Sequence, residues 1–272
     1  MPNGLMSIII LNWNRLELSK RTISRIIAIT TMPHELILVD NCSADESGVR
    51  QYLDTIKGNE HTKKIIRLYN SKNLGVGGGR NSGLVVASGD YLVTIDDDIH
   101  VPAKWDVLMA DACDKIPRLG ITGVNVEPTK FRVREINGAR VCPKDGNLGG
   151  GCLCLPRRVF KRVGYYNYFS TYGHEDAAMY YRLRYLKLLN MYIEPRGLHM
   201  DKDADKAYRK AKNNAHAKNS MQLCALSLYR RDMGKTGDAY VSFDPNFDPD
   251  DLKIFTSDLI MKERKDKQDD KD

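Results

Sequence analysis

Three consecutive carboxylates, Asp96-Asp97-Asp98, hold the chemistry that the rest of this chain must serve. They end a short apolar run, Tyr91 to Ile95, whose residues suit a strand and which follows the turn pair Gly89-Asp90. Like charges crowded at a strand tip repel one another, and burial raises the cost. A cation is therefore expected beside them. If the chain stays extended, Asp96 and Asp98 point to one side and Asp97 to the other. Two hard oxygen donors on one side suit Mg2+ or Mn2+ held jointly with a phosphate-bearing ligand. A solvated acidic turn is the bland alternative.

Other residues could contribute. Glu175 and Asp176 open a helical stretch that reaches about Leu189. Acids there are favourable with the helix dipole, and either could instead act as a general base. His199 is a lone histidine, a type that is more often a satisfied polar residue than a ligand. The stretch Asn73-Leu74-Gly75 through Arg80-Asn81-Ser82-Gly83 is rich in glycine but is neither a Walker A loop nor a clean dinucleotide fingerprint, since Arg80 stands where a third glycine belongs. It reads as a flexible turn into a helix, or as a close backbone approach to a ligand with Arg80 near a phosphate.

These residues need a scaffold. Ser7 to Leu11 is a continuous apolar run, as expected of a strand buried on both faces, and Asn12-Trp13-Asn14 ends it. Leu16 to Ile29 has helical spacing, and Leu36 to Val39 is a second strand ending in Asp40-Asn41. A helix from about Ser43 through Ile56 and a strand from Ile65 to Tyr69 follow. The glycine-rich helix, through Ala87, then leads to the Tyr91–Ile95 strand. Strands alternating with helices predict an α/β layer with a mostly parallel central sheet. In such sheets the ligand site lies beyond the carboxyl ends of the strands, where Asn12, Asn14, Asp40, Asn41 and the three aspartates all fall.

Beyond Pro102 the pattern is weaker. Trp105 to Ala112 reads as a helix and Ile121 to Val124 as a strand, while Lys130, Arg132, Arg134, Arg140 and Lys144 read as a solvated loop face. Gly149 to Leu155 reads as a turn into a strand, Pro156 to Gly164 as a short helix, and Met191 to Ile193 as a strand. Tyrosines 165, 166 and 168 sit beside polar loops, where aromatic faces suit sugars or bases. Residues 201–240 read as a basic helical extension and 241–272 as a charged, flexible tail.

The totals narrow the class without choosing a partner. The 272 residues carry a net charge of +7; Asp244 to Asp272 hold ten acids and six bases, which leaves +11 on residues 1–243. A basic body implies an anionic partner: a nucleotide, nucleic acid or an anionic membrane surface. No apolar run is long enough for a transmembrane segment, and no signal peptide is evident. Six cysteines in a chain of this length fit a reduced, cytoplasmic protein.

Taken in order, Asn12-Trp13-Asn14, Val39-Asp40-Asn41-Cys42-Ser43 with Asp45, the Asn73–Gly83 stretch, Asp96-Asp97-Asp98, Glu175-Asp176 with Arg182, and His199 resemble the inverting GT-A glycosyltransferases of family 2. The resemblance spans about residues 7–200. It implies a Rossmann-like GT-A fold over residues 1–200, with a nucleotide-sugar half to about residue 100 and an acceptor half beyond it. It implies donor contacts from Asn12, Asn14, Asp40, Asn41, Gly75, Arg80, Asp96 and Asp97, with Asp40 and Asn41 at the base. Many members have a second aspartate where this chain has Asn41, so UDP- and dTDP-sugars are both open. It implies Mn2+ or Mg2+ on Asp96, Asp98 and His199, catalysis by Asp176, and Glu175, Tyr172 and His174 toward the acceptor. Ala178 stands where many relatives have a further aspartate.

The implied activity moves a sugar from a nucleotide-diphosphate sugar to a hydroxyl on a glycan or lipid-linked glycan, in the cytoplasm or peripherally at a membrane. A glycosyltransferase acting on a modified DNA base, a sugar nucleotidyltransferase, and a non-catalytic nucleic-acid-binding module are the competing readings.

Overall fold

The computed structural model describes residues 2–166 and 175–200. Tyr172, His174, the basic extension 201–240 and the tail 241–272 lie outside the described residues. Strands β1 (Met6–Asn12), β2 (His34–Asp40) and β4 (Tyr91–Asp96) come from apolar runs, and β1 and β2 are buried along their whole length. β3 (Thr62–Tyr69) joins them at the edge. Helix α1 (Leu16–Ile29) has the bounds its periodicity predicts and buries Ile23 and Ile26.

The remaining strands are β5 (Ile99–His100), β6 (Leu119–Gly123), β7 (Arg134–Ile136), β8 (Ala139–Pro143), β9 (Cys152–Pro156), β10 (Leu189–Ile193) and β11 (Leu198–His199). Among the described residues nine of the strands form one sheet in the order β3-β2-β1-β4-β9-β6-β10-β8-β7. The α/β expectation holds, but the sheet is mixed rather than mostly parallel. The β3, β2, β1 and β4 neighbours run parallel, as do β6 and β10. β9 inserts antiparallel between β4 and β6, and β8 and β7 continue antiparallel. The alternating strand–helix pattern that predicts parallel pairing stops after β4, and so does the parallel block.

Three local expectations are corrected. The helix expected from Ser43 through Ile56 is broken at Gly48, whose φ of 70° ends a 3-10 turn (Asp45–Ser47) before α2 (Val49–Thr55). The basic stretch expected as a loop contains the β7–β8 hairpin. Its turn is Asn137-Gly138, both with positive φ, as a tight two-residue hairpin turn requires. That Asn-Gly pair was the available signal. Finally, the glycine-rich stretch is α3 itself (Gly75–Val86), not a loose turn into it. A Cβ on Gly79 would lie 2.5 Å from the Leu11 side chain, and one on Gly83 would lie 2.3 Å from that of Ile9. These two glycines let α3 lie directly on β1.

The other helices are α4 (Trp105–Lys115), α5 (Arg157–Val163) and α6 (Glu175–Tyr185). Apolar side chains fill both sides of the sheet, Trp105, Met109 and Cys113 on one and Phe160, Met179 and Leu183 on the other. No helix among the described residues is long and apolar enough to cross a membrane.

Candidate active site

The chain does not stay extended through the three aspartates. β4 ends at Asp96, residues 97 and 98 form a turn, and β5 begins at Ile99. The side chains therefore part company in a way that strand alternation does not predict. Asp96 turns to Arg80, while Asp97 and Asp98 share Arg15.

Asp97 is buried against α1. Its carboxylate pairs with Arg15 and lies 3.4 Å from Ser19 Oγ, and its carbonyl accepts a 2.8 Å bond from Thr22 Oγ1. Burial pushes its carboxyl up to about 7, against the pull of Arg15. Expected as a donor contact, Asp97 instead anchors the turn. Arg15, Ser19 and Thr22 were missed by the sequence reading. Their spacing, i, i+4 and i+7, is one helical face and was the available signal.

Asp98 accepts from Arg15 Nη1 at 2.9 Å, and its carboxyl too is pushed up by burial. β11 pairs antiparallel with β5, setting His199 opposite Ile99, and Met200 N donates to the Asp98 carbonyl. That pairing brings His199 Nε2 to 3.7 Å from Asp98 Oδ2. Asp98 Oδ1 is buried with no hydrogen-bond partner. A carboxylate with one oxygen unpaired and an imidazole near the other fits a divalent cation such as Mn2+ or Mg2+. The expected triad is not preassembled, however. Among the described residues no three His, Cys, Asp or Glu side chains already converge on a metal point, and Asp96 pairs with Arg80.

Arg80 joins the two halves of the site. Its side chain is 1% exposed; Nη2 lies 2.7 Å from Asp96 Oδ1 and Nη1 lies 3.0 Å from Glu175 Oε1. Nη2 also donates to the Gly150 carbonyl at 2.8 Å, and the guanidinium stacks 5.4 Å from the Tyr166 ring centre. Arg80 was expected near a phosphate, but its reach is taken up by two carboxylates that stand far apart in the chain. It fixes the start of α6 beside the tip of β4.

Glu175, expected toward the acceptor, is buried in this pairing. Burial pushes its carboxyl up to about 7, with Arg80 opposing and Asp176 reinforcing the rise. A carboxyl raised in the folded state above its unfolded value of 4.5 stabilises the fold fully at low pH, and that contribution is lost as pH rises through about 7. Glu175→Gln is therefore expected to lose less melting temperature than the parent between pH 5 and 8. Parallel slopes in thermal melts across that range would contradict this.

Asp176 follows at the first turn of α6. Its Oδ1 accepts from Ala177 N at 2.7 Å and its Oδ2 from Asn147 Nδ2 at 3.2 Å. It also lines a shallow pocket with Ile121, Met179 and Asn190.

The remaining stations lie at the ends of β1 and β2. Asn12 is buried and donates to the Ile10 and Val39 carbonyls, and its Oδ1 has no partner. Asn14 adopts φ 58° and laces the loop after β1 to that after β2, through Ser43 Oγ and Ala44 N. Asp40 accepts from Ser43 N at 3.0 Å and from the Arg50 guanidinium at 3.3 Å. Asn41 clamps the start of α3. Its Nδ2 donates to Asn73 Oδ1 and the Gly75 carbonyl, and its Oδ1 accepts from Asn70 Nδ2 and Leu74 N. An aspartate could not make the first two bonds, which gives Asn41 a physical reason where an acid was the family expectation. Gly75, at φ 69°, takes the left-handed conformation that starts the helix.

Comparison with known proteins adds to this geometry. Residues 7–149 match the model of the family described as glycosyl transferase family 2. The chain is 32% identical over 109 residues to a putative colanic acid biosynthesis glycosyl transferase of Escherichia coli K12, covering 40% of this chain and 38% of that one. It is 27% identical over 112 residues to an uncharacterized glycosyltransferase of Haemophilus influenzae, covering 41% and 33%. The matched region thus spans little more than a third of these curated relatives. Among solved structures, a mannosyltransferase from Pyrobaculum calidifontis in complex with GDP-Man and Mn2+ aligns with a TM-score of 0.60 at 18% identity, over 94% of this chain and 69% of that one. GalNAc-T7 with UDP, GalNAc and Mn2+ aligns at 0.56 and 17% identity, over 71% and 43%.

Proposed function

The chain belongs to glycosyl transferase family 2 and has a GT-A fold, and from that premise we propose a metal-dependent, inverting transfer of a sugar from a UDP- or dTDP-sugar to a hydroxyl. The observation that carries this reading is Arg80 bridging Asp96 and Glu175. Through that bridge the tip of β4, next to the aspartates assigned to the metal and diphosphate, is held beside the start of α6, which carries Asp176, the residue assigned as base.

In this reading Asp98 and His199 would hold the divalent ion. When bound, that ion supplies neutralising charge for the departing diphosphate. Asp176 accepts the proton from the acceptor hydroxyl as its oxygen attacks the anomeric carbon. Attack opposite the leaving group inverts the configuration. Asp40 stands toward the base and Asn41 shapes the loop beneath it, while Arg80 keeps Asp96 and α6 in register. Glu175 acts through Arg80. Structural neighbours solved with nucleotide sugars or nucleotides and Mn2+ support the donor class and the ion. A relative named for colanic acid biosynthesis supports an acceptor of the glycan or lipid-linked glycan kind over a DNA base.

The test is release of nucleoside diphosphate from UDP- and dTDP-sugars by the full chain with and without Mn2+. Asp98→Ala is expected to abolish Mn2+-dependent donor binding in calorimetry. Donor affinity in that variant equal to the parent's, with the same response to Mn2+, would remove Asp98 from the metal site.

A further inference from the structure

We propose that Asn147 is a positioning residue for Asp176, holding the base's carboxylate toward the acceptor; this rests on the reading of Asp176 as the base. Asp176 Oδ1 is tied to its own helix through Ala177 N, so the other oxygen sets which way the carboxylate faces. That oxygen takes its bond from Asn147 Nδ2.

Asn147 is itself held by a loop fastened on both sides. Before it, Lys144 N donates to the Asn190 carbonyl, and Asn190 Nδ2 donates to the Gly146 carbonyl at 3.0 Å. After it, Gly149 N donates to Tyr192 Oη at 2.9 Å, and the Gly150 carbonyl accepts from Arg80. Tyr180, one helical turn beyond Asp176 and on the same face, donates to Asp145 Oδ1 at 3.1 Å. Two residues of α6, four apart, therefore grip two loop residues that are two apart. The same loop reaches Arg80, which holds Asp96. The loop is thus the mechanical link between the tip of β4 and the base.

A neutral amide is the right group for this role. It donates to a carboxylate without quenching its charge, and hydrogen bonds to charged acceptors are stronger than those to neutral ones. The assay follows nucleoside diphosphate release from UDP-glucose, UDP-galactose, dTDP-glucose and GDP-mannose with Mn2+, using the fastest donor. Asn147→Ala is expected to lower kcat about tenfold. Asn147→Asp, which sets carboxylate against carboxylate, should lower it about a hundredfold, with donor KM within about twofold in both.

A purely structural role predicts the reverse order, because aspartate is the closer isostere. That order, or a loss carried by KM, overturns the proposal. Should Asn147→Asp fail to fold, Asn147→Ala decides, and a kcat at the parent's level rejects the idea. Asp176→Asn is the control. Normal turnover there removes the base assignment itself, whereas an inactive Asp176→Asn beside unaffected Asn147 variants removes only the positioning role. A crystal structure of Asn147→Ala gives a readout independent of substrate: the Asp176 carboxylate is expected to rotate away, and an unchanged carboxylate counts against the proposal.

Discussion

Arg80→Leu is expected to produce the largest loss of stability of any single change in the site and to abolish transfer with it. The guanidinium is 1% exposed and neutralises Asp96 and Glu175 together, so its removal leaves Glu175 buried without a countercharge and Asp96, whose side chain is 30% exposed, without a partner. Removing one member of a buried ion pair typically costs about 3–5 kcal/mol. For a domain of this size that is a fall in melting temperature of roughly 6–20 °C. Scanning calorimetry at pH 8 measures it. The deficit should shrink near pH 5, where Glu175 is largely protonated and has little charge to strand. Arg80→Lys keeps the charge but cannot reach two carboxylates and a carbonyl with one ammonium, so it should fall between the two. A leucine variant that melts with the parent at both pH values would show that the bridge does not hold α6 to β4.

Asp176→Asn is the complementary case, with a large effect on rate and a small one on stability. Asparagine keeps the size of the side chain and can still accept from Ala177 N, but it cannot take a proton. General-base assistance is worth roughly 10²–10⁴ in rate, and a loss of that order in transfer is expected. Donor binding should persist, because the carboxylates assigned to the metal and diphosphate are untouched. Steady-state transfer together with donor calorimetry separates the two quantities. Full turnover, or a loss of donor binding as large as the loss of rate, would each reassign the residue.

Much of the scaffold was legible because it depends on short-range pattern. The apolar runs of β1, β2 and β4, and the periodicity of α1, name their own elements. Because parallel strands joined by crossover helices end on one edge, the polar residues closing those runs had to gather there. Asn12, Asp40 and Asp96 could be placed together on that ground alone. His199 could not. Its position depends on a two-residue pairing of β11 with β5, too short to leave a pattern. The Asn137-Gly138 hairpin did carry a signal, but it was hidden under a count of basic residues.

The sequence by itself determined strands β1 to β4, the edge where chemistry can occur, and the residue types available there. Tertiary structure alone decided which carboxylate meets which cation. Asp96 goes to Arg80, Asp97 and Asp98 go to Arg15, and the glycines of α3 serve contact with Leu11 and Ile9. The physical reason is that pattern reports what each residue shows to water, one element at a time. An ion pair between residues 80 and 175 exists only when two elements that share no local pattern are packed into the same dry space, where each charge must find its opposite.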